Sequence, residues 1–125
     1  MKLIDTTIAV DHLRGASAAV DLLTALMDAG DDLLASELVR FELLAGIRDK
    51  ELVAFEEFCS ALHWVAVNED VARVGGQLAR RYRKSHSGIG AVGYLIAATA
   101  IVIDAELLTT NVRHFPMFTK LKPAY

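Results

Sequence analysis

A chain of 125 residues with a formal net charge of −3 is near the usual size of one domain, so residues 1–125 are expected to fold as a single unit around a substantial core. The charge argues against coating of nucleic acid by the whole surface while allowing a local basic patch, and the lone Cys59 excludes an internal disulfide or a thiolate zinc cluster and fits a reducing cytoplasm. Hydrophobic residues make up 54% of the chain, which points to a face covered by a partner or a second copy; no uncharged apolar run reaches the roughly 18 residues of a membrane span and no basic-led leader opens the chain, so neither an anchor nor a signal peptide is expected.

Lys2-Leu3-Ile4-Asp5-Thr6-Thr7 is an apolar run that ends in a carboxylate and two hydroxyls. It reads as a buried strand with Asp5 at its C-terminal tip, where open α/β sheets bind ligands. Taken alone, Asp5 or Thr6 better suits the cap of the next helix. That helix is expected over Ile8–Arg14 with His12 at its surface, and Gly15 stops it. Val20, Leu23, Leu26 and Met27 give helical spacing over Ser17–Ala29, and Leu33-Leu34-Ala35 follows as a second strand.

Ser36 and Gly46 bracket a helix whose inward stripe is read as Leu38, Phe41, Leu44 and Ala45. Glu42 lies beside that stripe. Burial of its carboxylate needs a counter-charge, either a metal ion shared with Asp5 or a surface pairing with Arg40, Arg48 or Lys50. Asp49–Leu62 reads as a helix with Leu52, Phe55, Phe58 and Cys59 inward, and His63–Val67 as a third strand. Asn68 caps a long helix from Glu69 that ends in Arg80-Arg81-Tyr82-Arg83-Lys84. This basic cluster suits either the helix dipole or the phosphates of a nucleic acid, with Arg81, Arg83 and Lys84 as the contacts. The run from Gly88 to Asp104 reads as a helix apolar on nearly every side, and Glu106–Asn111 as a fourth strand ending in hydroxyls and a carboxamide.

This alternation predicts an α/β fold of three layers, a mostly parallel central sheet of four or five short strands with helices on both faces. Parallel neighbours would bring Asp5 and Asn111 to one sheet edge, within reach of the helix that carries Glu42.

Four stretches, Leu3-Ile4-Asp5-Thr6-Thr7, Ser36 to Gly46, Tyr94 to Ala100, and Leu108-Thr109-Thr110-Asn111-Val112-Arg113-His114-Phe115, occur in an order and at spacings that resemble the PIN-domain nucleases, in particular the VapC-type toxins of bacterial toxin–antitoxin pairs. The resemblance covers Lys2 to about Phe118. It implies a PIN-like fold, an Mg²⁺- or Mn²⁺-dependent endoribonuclease activity, a cognate antitoxin and a homodimer. Asp5, Glu42 and Asn111 match acidic or Asn positions that gather the metal, and Thr109 or Thr110 matches a hydroxyl beside them. In the mechanism so implied, Asn111 holds a water and Thr6 or Thr109 positions the attacking water or the scissile phosphate. His86 and His114 would be phosphate contacts, and the product would carry a 5′-phosphate.

The sequence departs from the pattern at Gly93, where the family carries an Asp just before the Leu-Ile-Ala-Ala-Thr-Ala run. Asp104 lies eleven residues further on, roughly 16 Å along a helix, and cannot replace it. A weakened or disabled metal site is expected, and with it two other classes stay open: a non-catalytic RNA-binding module, or an antitoxin-binding module with grooves between the Ile8–Leu13 and Leu38–Ala45 helices.

Overall fold

In the computed structural model, which describes residues 1–125, β1 (Lys2–Ile4), β2 (Leu33–Ser36), β3 (His63–Val65) and β4 (Glu106–Leu108) form one fully parallel sheet in the order β3-β2-β1-β4. The helices are α1 (Thr6–Leu13), α2 (Ser17–Asp28), α3 (Glu37–Gly46), α4 (Leu52–Ser60), α5 (Glu69–Tyr82) and α6 (Ala91–Ile103). The path β1 to β2 to β3 steps outward in one direction, and β3 to β4 steps back to the far side of β1. Right-handed crossovers therefore place α1–α4 on one face and the packed pair α5–α6 on the other. The reversal occurs between β1 and β4, so the ligand crevice of such a sheet opens at their C-terminal ends.

Leu3, Ile4, Ile8, Val39, Phe55, Val71 and Ile96 are the large apolar side chains sealed from solvent. Side-chain caps set where the helices start. Asp5 Oδ1 accepts the Thr6 N–H at 2.8 Å, Ser36 Oγ accepts the Leu38 N–H at 3.1 Å, and Asn68 Oδ1 accepts the Val71 N–H at 3.0 Å. Because Asp5 is the cap, α1 begins at Thr6, two residues sooner than the apolar pattern predicts.

The stripe on α3 differs from expectation. Val39 and Leu43 are buried, while Phe41 and Leu44 stand 64% and 45% exposed, and Ala45 is exposed too. Both sets satisfy helical spacing, and the phase is decided by the tight passage from β2 into the Ser36 cap, which turns Val39 onto the sheet. Leu52, expected inward, is exposed because it opens α4 directly after the 3-10 turn Asp49–Glu51. β3 and β4 are shorter than predicted, and past β4 the residues Thr110 and Asn111 line the crevice. The last apolar helix starts at Ala91, not Gly88. Gly88 has φ of +97°, which favours glycine, so only Gly93 is a glycine inside that helix.

His12 is half-buried rather than at the surface. Its ring stacks on Phe58 with centroids 4.8 Å apart, and its Nδ1 is buried without a hydrogen-bond partner. Burial holds the imidazole below its ordinary value of 6.5. The unfolded chain therefore takes up this proton first as pH falls through about 6.5, and the contribution of neutral His12 to stability is lost below that value. Urea midpoints compared at about pH 7.5 and about pH 5.5 are expected to fall more in the parent than in His12→Phe. Equal declines in the two proteins would contradict this account of His12.

Candidate active site

The end of β1 is tied to the end of β4 by the Asp5 N–H, which donates to the Leu108 carbonyl at 2.9 Å. The Asp5 side chain is only 6% exposed, more buried than a strand tip suggests. Oδ2 accepts the Thr109 hydroxyl at 2.8 Å and the Thr7 hydroxyl at 3.3 Å, while Oδ1 holds the Thr6 N–H. Cap and crevice residue are thus one and the same. Thr109 is fully buried and its Oγ1 also accepts the Asn111 N–H at 3.0 Å, so it orients Asp5 and has no face left for a substrate.

Glu42 arrives from α3. It is half-buried, and its Oε1 accepts the Thr6 hydroxyl at 2.6 Å. Thr6 therefore bridges the two acids, giving its N–H to Asp5 and its hydroxyl to Glu42. Neither acid has a cation partner. The ion pairs are Lys2–Glu106, Arg40–Glu37, Arg48–Glu51 and Arg73–Glu69, so the surface partners considered for Glu42 are engaged elsewhere or, like Lys50, unpaired.

Asp5, Thr6, Glu42 and Asn111 line a single cleft of 530 Å³. Gly93 lines it as well, from the first turn of α6. No group of three acidic, His or Cys side chains assembles anywhere in the chain. Thr7, Val10 and Asp11 of α1 line the cleft, with Arg14 at the C-cap of that helix and His114 from beyond β4. Sequence reading did not assign Thr7, Asp11 and Arg14, although their spacing from Thr7 is that of one helix face.

Arg81, Arg83 and Lys84 are exposed at the end of α5, form no ion pairs and do not line the cleft. Arg81 lies over the Tyr82 ring at 5.4 Å, and Tyr82 meets His86 edge-on at 5.7 Å. The short link from Lys84 leads to Gly90 on the cleft wall.

The family model of the PIN domain matches residues 2–119. The chain belongs to the PIN-domain family. It is 69% identical to the Mycobacterium tuberculosis protein Ribonuclease VapC19, with 100% of both chains covered. It is 42% identical to Ribonuclease VapC10 of the same organism, with 100% of this chain and 93% of that protein covered. Among solved structures, a toxin-antitoxin complex from Klebsiella pneumoniae matches with a TM-score of 0.82 at 21% identity, covering 100% of this chain and 98% of the other. That likeness speaks for the fold. The PIN-like architecture expected from the sequence is the one observed, with the cleft at the C-terminal ends of the two strands flanking the reversal.

Proposed function

We propose that this PIN-domain protein is a divalent-metal-dependent endoribonuclease toxin of the VapC type, with Asp5 and Glu42 as its central acids. The observation that carries the reading is the Thr6-bridged pair of carboxylates sharing one cleft, neither of them in an ion pair. Uncompensated carboxylates at partial burial are costly, and a divalent cation removes that cost.

PIN-domain ribonucleases generally use a divalent metal, and the donor set here fits one. Mg²⁺ or Mn²⁺ is commonly held by one or two carboxylates together with waters and substrate phosphates. Asp5 and Glu42 would hold it directly, with Asn111 holding a water of its shell. When bound, the ion supplies charge neutralisation at the phosphate and activation of water. Thr6 and Thr109 keep the two acids in place, and Thr7 adds a second hydroxyl on Asp5. His114, which lines the cleft, is suited to a phosphate contact. Attack by water rather than by the RNA 2′-hydroxyl leaves a 5′-phosphate, and single-stranded or looped RNA best fits a crevice that needs a bent backbone.

The same reading assigns Arg81, Arg83 and Lys84 to the RNA backbone beyond the cleft, since they are unpaired and close in chain to its wall. Replacing all three with Ala is expected to flatten the dependence of RNA affinity on salt by about two in log–log slope, because each phosphate left unneutralised on a single strand removes roughly 0.7. An unchanged slope would return the cluster to the helix dipole.

An antitoxin and a second copy of the chain account for the apolar surface. Phe41 and Val53 are 64% and 72% exposed. Val10, Leu13, Leu43 and Ile47 line a groove of 570 Å³ beside the cleft. The Klebsiella pneumoniae match is itself a toxin-antitoxin complex, and a bacterial cytoplasm is the compartment that suits such a pair.

One observation favours a second reading, RNA or antitoxin binding without cleavage: Gly93 contributes no ligand where the resemblance expects an acid. Incubation of labelled RNA with the purified chain in Mg²⁺, Mn²⁺ or EDTA separates the two. Metal-dependent fragments with 5′-phosphate ends support the ribonuclease, and binding with no cleavage in either metal supports the module.

A further inference from the structure

The cleft side of α1 ends in a cation that the proposed metal chemistry does not use. Arg14 is exposed, lines the cleft together with Asp5 and Glu42, and lines the neighbouring apolar groove. On a helix its default partner is Asp11, one turn back. That pair does not form. Asp11 Oδ2 accepts instead the hydroxyl of Tyr125, which the C-terminal segment brings across to α1, and Arg14 joins no ion pair. The segment is anchored one residue earlier, where the Ala124 N–H donates to the Thr109 carbonyl at 2.9 Å.

Two facts give Arg14 its reach. Side chains on a helix lean toward its N-terminus, and Arg14, in helical conformation at the C-cap of α1, lines the cleft that holds the acids. Arg14 lies nine residues, about 13.5 Å of helical rise, from Asp5, a spacing suited to a phosphate next to the one held at Asp5. A guanidinium matches phosphate oxygens in bidentate fashion.

We propose that Arg14 grips an RNA backbone phosphate adjacent to the scissile one, and that Tyr125 keeps it available by occupying the Asp11 carboxylate. This rests on the ribonuclease reading above for its substrate. Partial burial first, and the bond to Asp11 second, push the Tyr125 hydroxyl up to about 12, so it remains a donor across the pH range in which enzymes are assayed. Tyr125 is in these terms a positioning residue, acting through Asp11 on Arg14.

The test compares the parent with Arg14→Ala, Tyr125→Phe and the double variant Tyr125→Phe/Asp11→Asn. The probe is a labelled mixed-sequence single-stranded RNA, read for binding over a salt series and for cleavage in Mn²⁺, with thermal melts to check folding. Arg14→Ala is expected to weaken binding roughly ten-fold and to make the salt slope shallower by about 0.7. Tyr125→Phe should weaken binding in the same direction, because the freed Asp11 captures Arg14, and Asp11→Asn in that background should restore it. Rescue separates this from a structural role of Tyr125, which a second substitution would not repair. Unchanged affinity and slope in Arg14→Ala overturn the assignment of Arg14. A loss in Tyr125→Phe that Asp11→Asn does not repair overturns the role of Tyr125. Absence of cleavage with RNA binding intact defeats the ribonuclease reading alone, and absence of both defeats the two together.

Discussion

Gly93→Asp is expected to raise metal affinity and RNA cleavage by roughly ten- to a hundred-fold over the parent chain, the scale on which metal sites respond to changes in their immediate surroundings. The position already faces the cleft that holds Asp5, Glu42 and Asn111. It is the third residue of α6 after the Gly90 cap, where a carboxylate interacts favourably with the helix dipole. Sterically, a Cβ there meets only Ile89 Cγ2 at 3.3 Å, the end of a side chain that can yield by a few tenths of an ångström. The glycine itself costs the helix about 1 kcal/mol relative to alanine. A third carboxylate beside two unpaired ones repels them when no ion is bound, so the variant should melt lower than the parent in EDTA and gain more in Mn²⁺, following the linkage of binding to folding. Titration calorimetry and cleavage of a labelled RNA, run on both proteins, read this directly. Equal metal affinity in the two would mean that Asp5, Glu42 and Asn111 suffice and that Gly93 disables nothing.

Asp5→Asn should abolish at least about 99% of any metal-dependent cleavage while leaving the fold nearly intact. The carboxylate is buried at 6% exposure, which by itself suggests a large structural cost. The bonding argues otherwise. Asn caps helices as well as Asp does, so its oxygen keeps the Thr6 N–H. Its amide nitrogen then takes the place of Oδ2, and the Thr109 hydroxyl turns to accept from it, the Thr7 oxygen lying 3.5 Å away as an alternative partner. A thermal midpoint within a few degrees of the parent, with metal affinity lost, is the expected pair of results. A markedly lower thermal midpoint with metal affinity of the folded protein unchanged would make Asp5 a cap and nothing more.

Much of this arrangement was legible in the sequence, for reasons that are specific to each part. The strand that ends in Asp5, the Ser36 and Asn68 caps and the apolar run of α6 are local signals, and each corresponds to an observed element. Parallel pairing then follows from the alternation of strands and helices, which is why Asp5, Glu42 and Asn111 could be placed together from the order of elements alone. What the sequence left open depends on tertiary geometry. α3 carries two apolar stripes of equal quality, and only the turn out of β2 selects Val39 and Leu43 over Phe41 and Leu44. The burial of Thr109 and of the His12 ring depends on segments far apart in the chain. So does the pairing of Asp11 with Tyr125 rather than Arg14, a contact across 114 positions that no spacing rule contains. Gly88, read as the start of the last apolar helix, proves to be a left-handed turn residue outside it.

In the proposed site, two carboxylates bridged by Thr6 would hold one divalent cation. Manganese titration followed by electron paramagnetic resonance, on the parent and on Asp5→Asn/Glu42→Gln, reads that binding. The expected result is a single saturable site in the parent and none in the double variant, with both proteins folded. Equal manganese binding by the two would place the metal elsewhere and rule out Asp5 and Glu42 as its ligands.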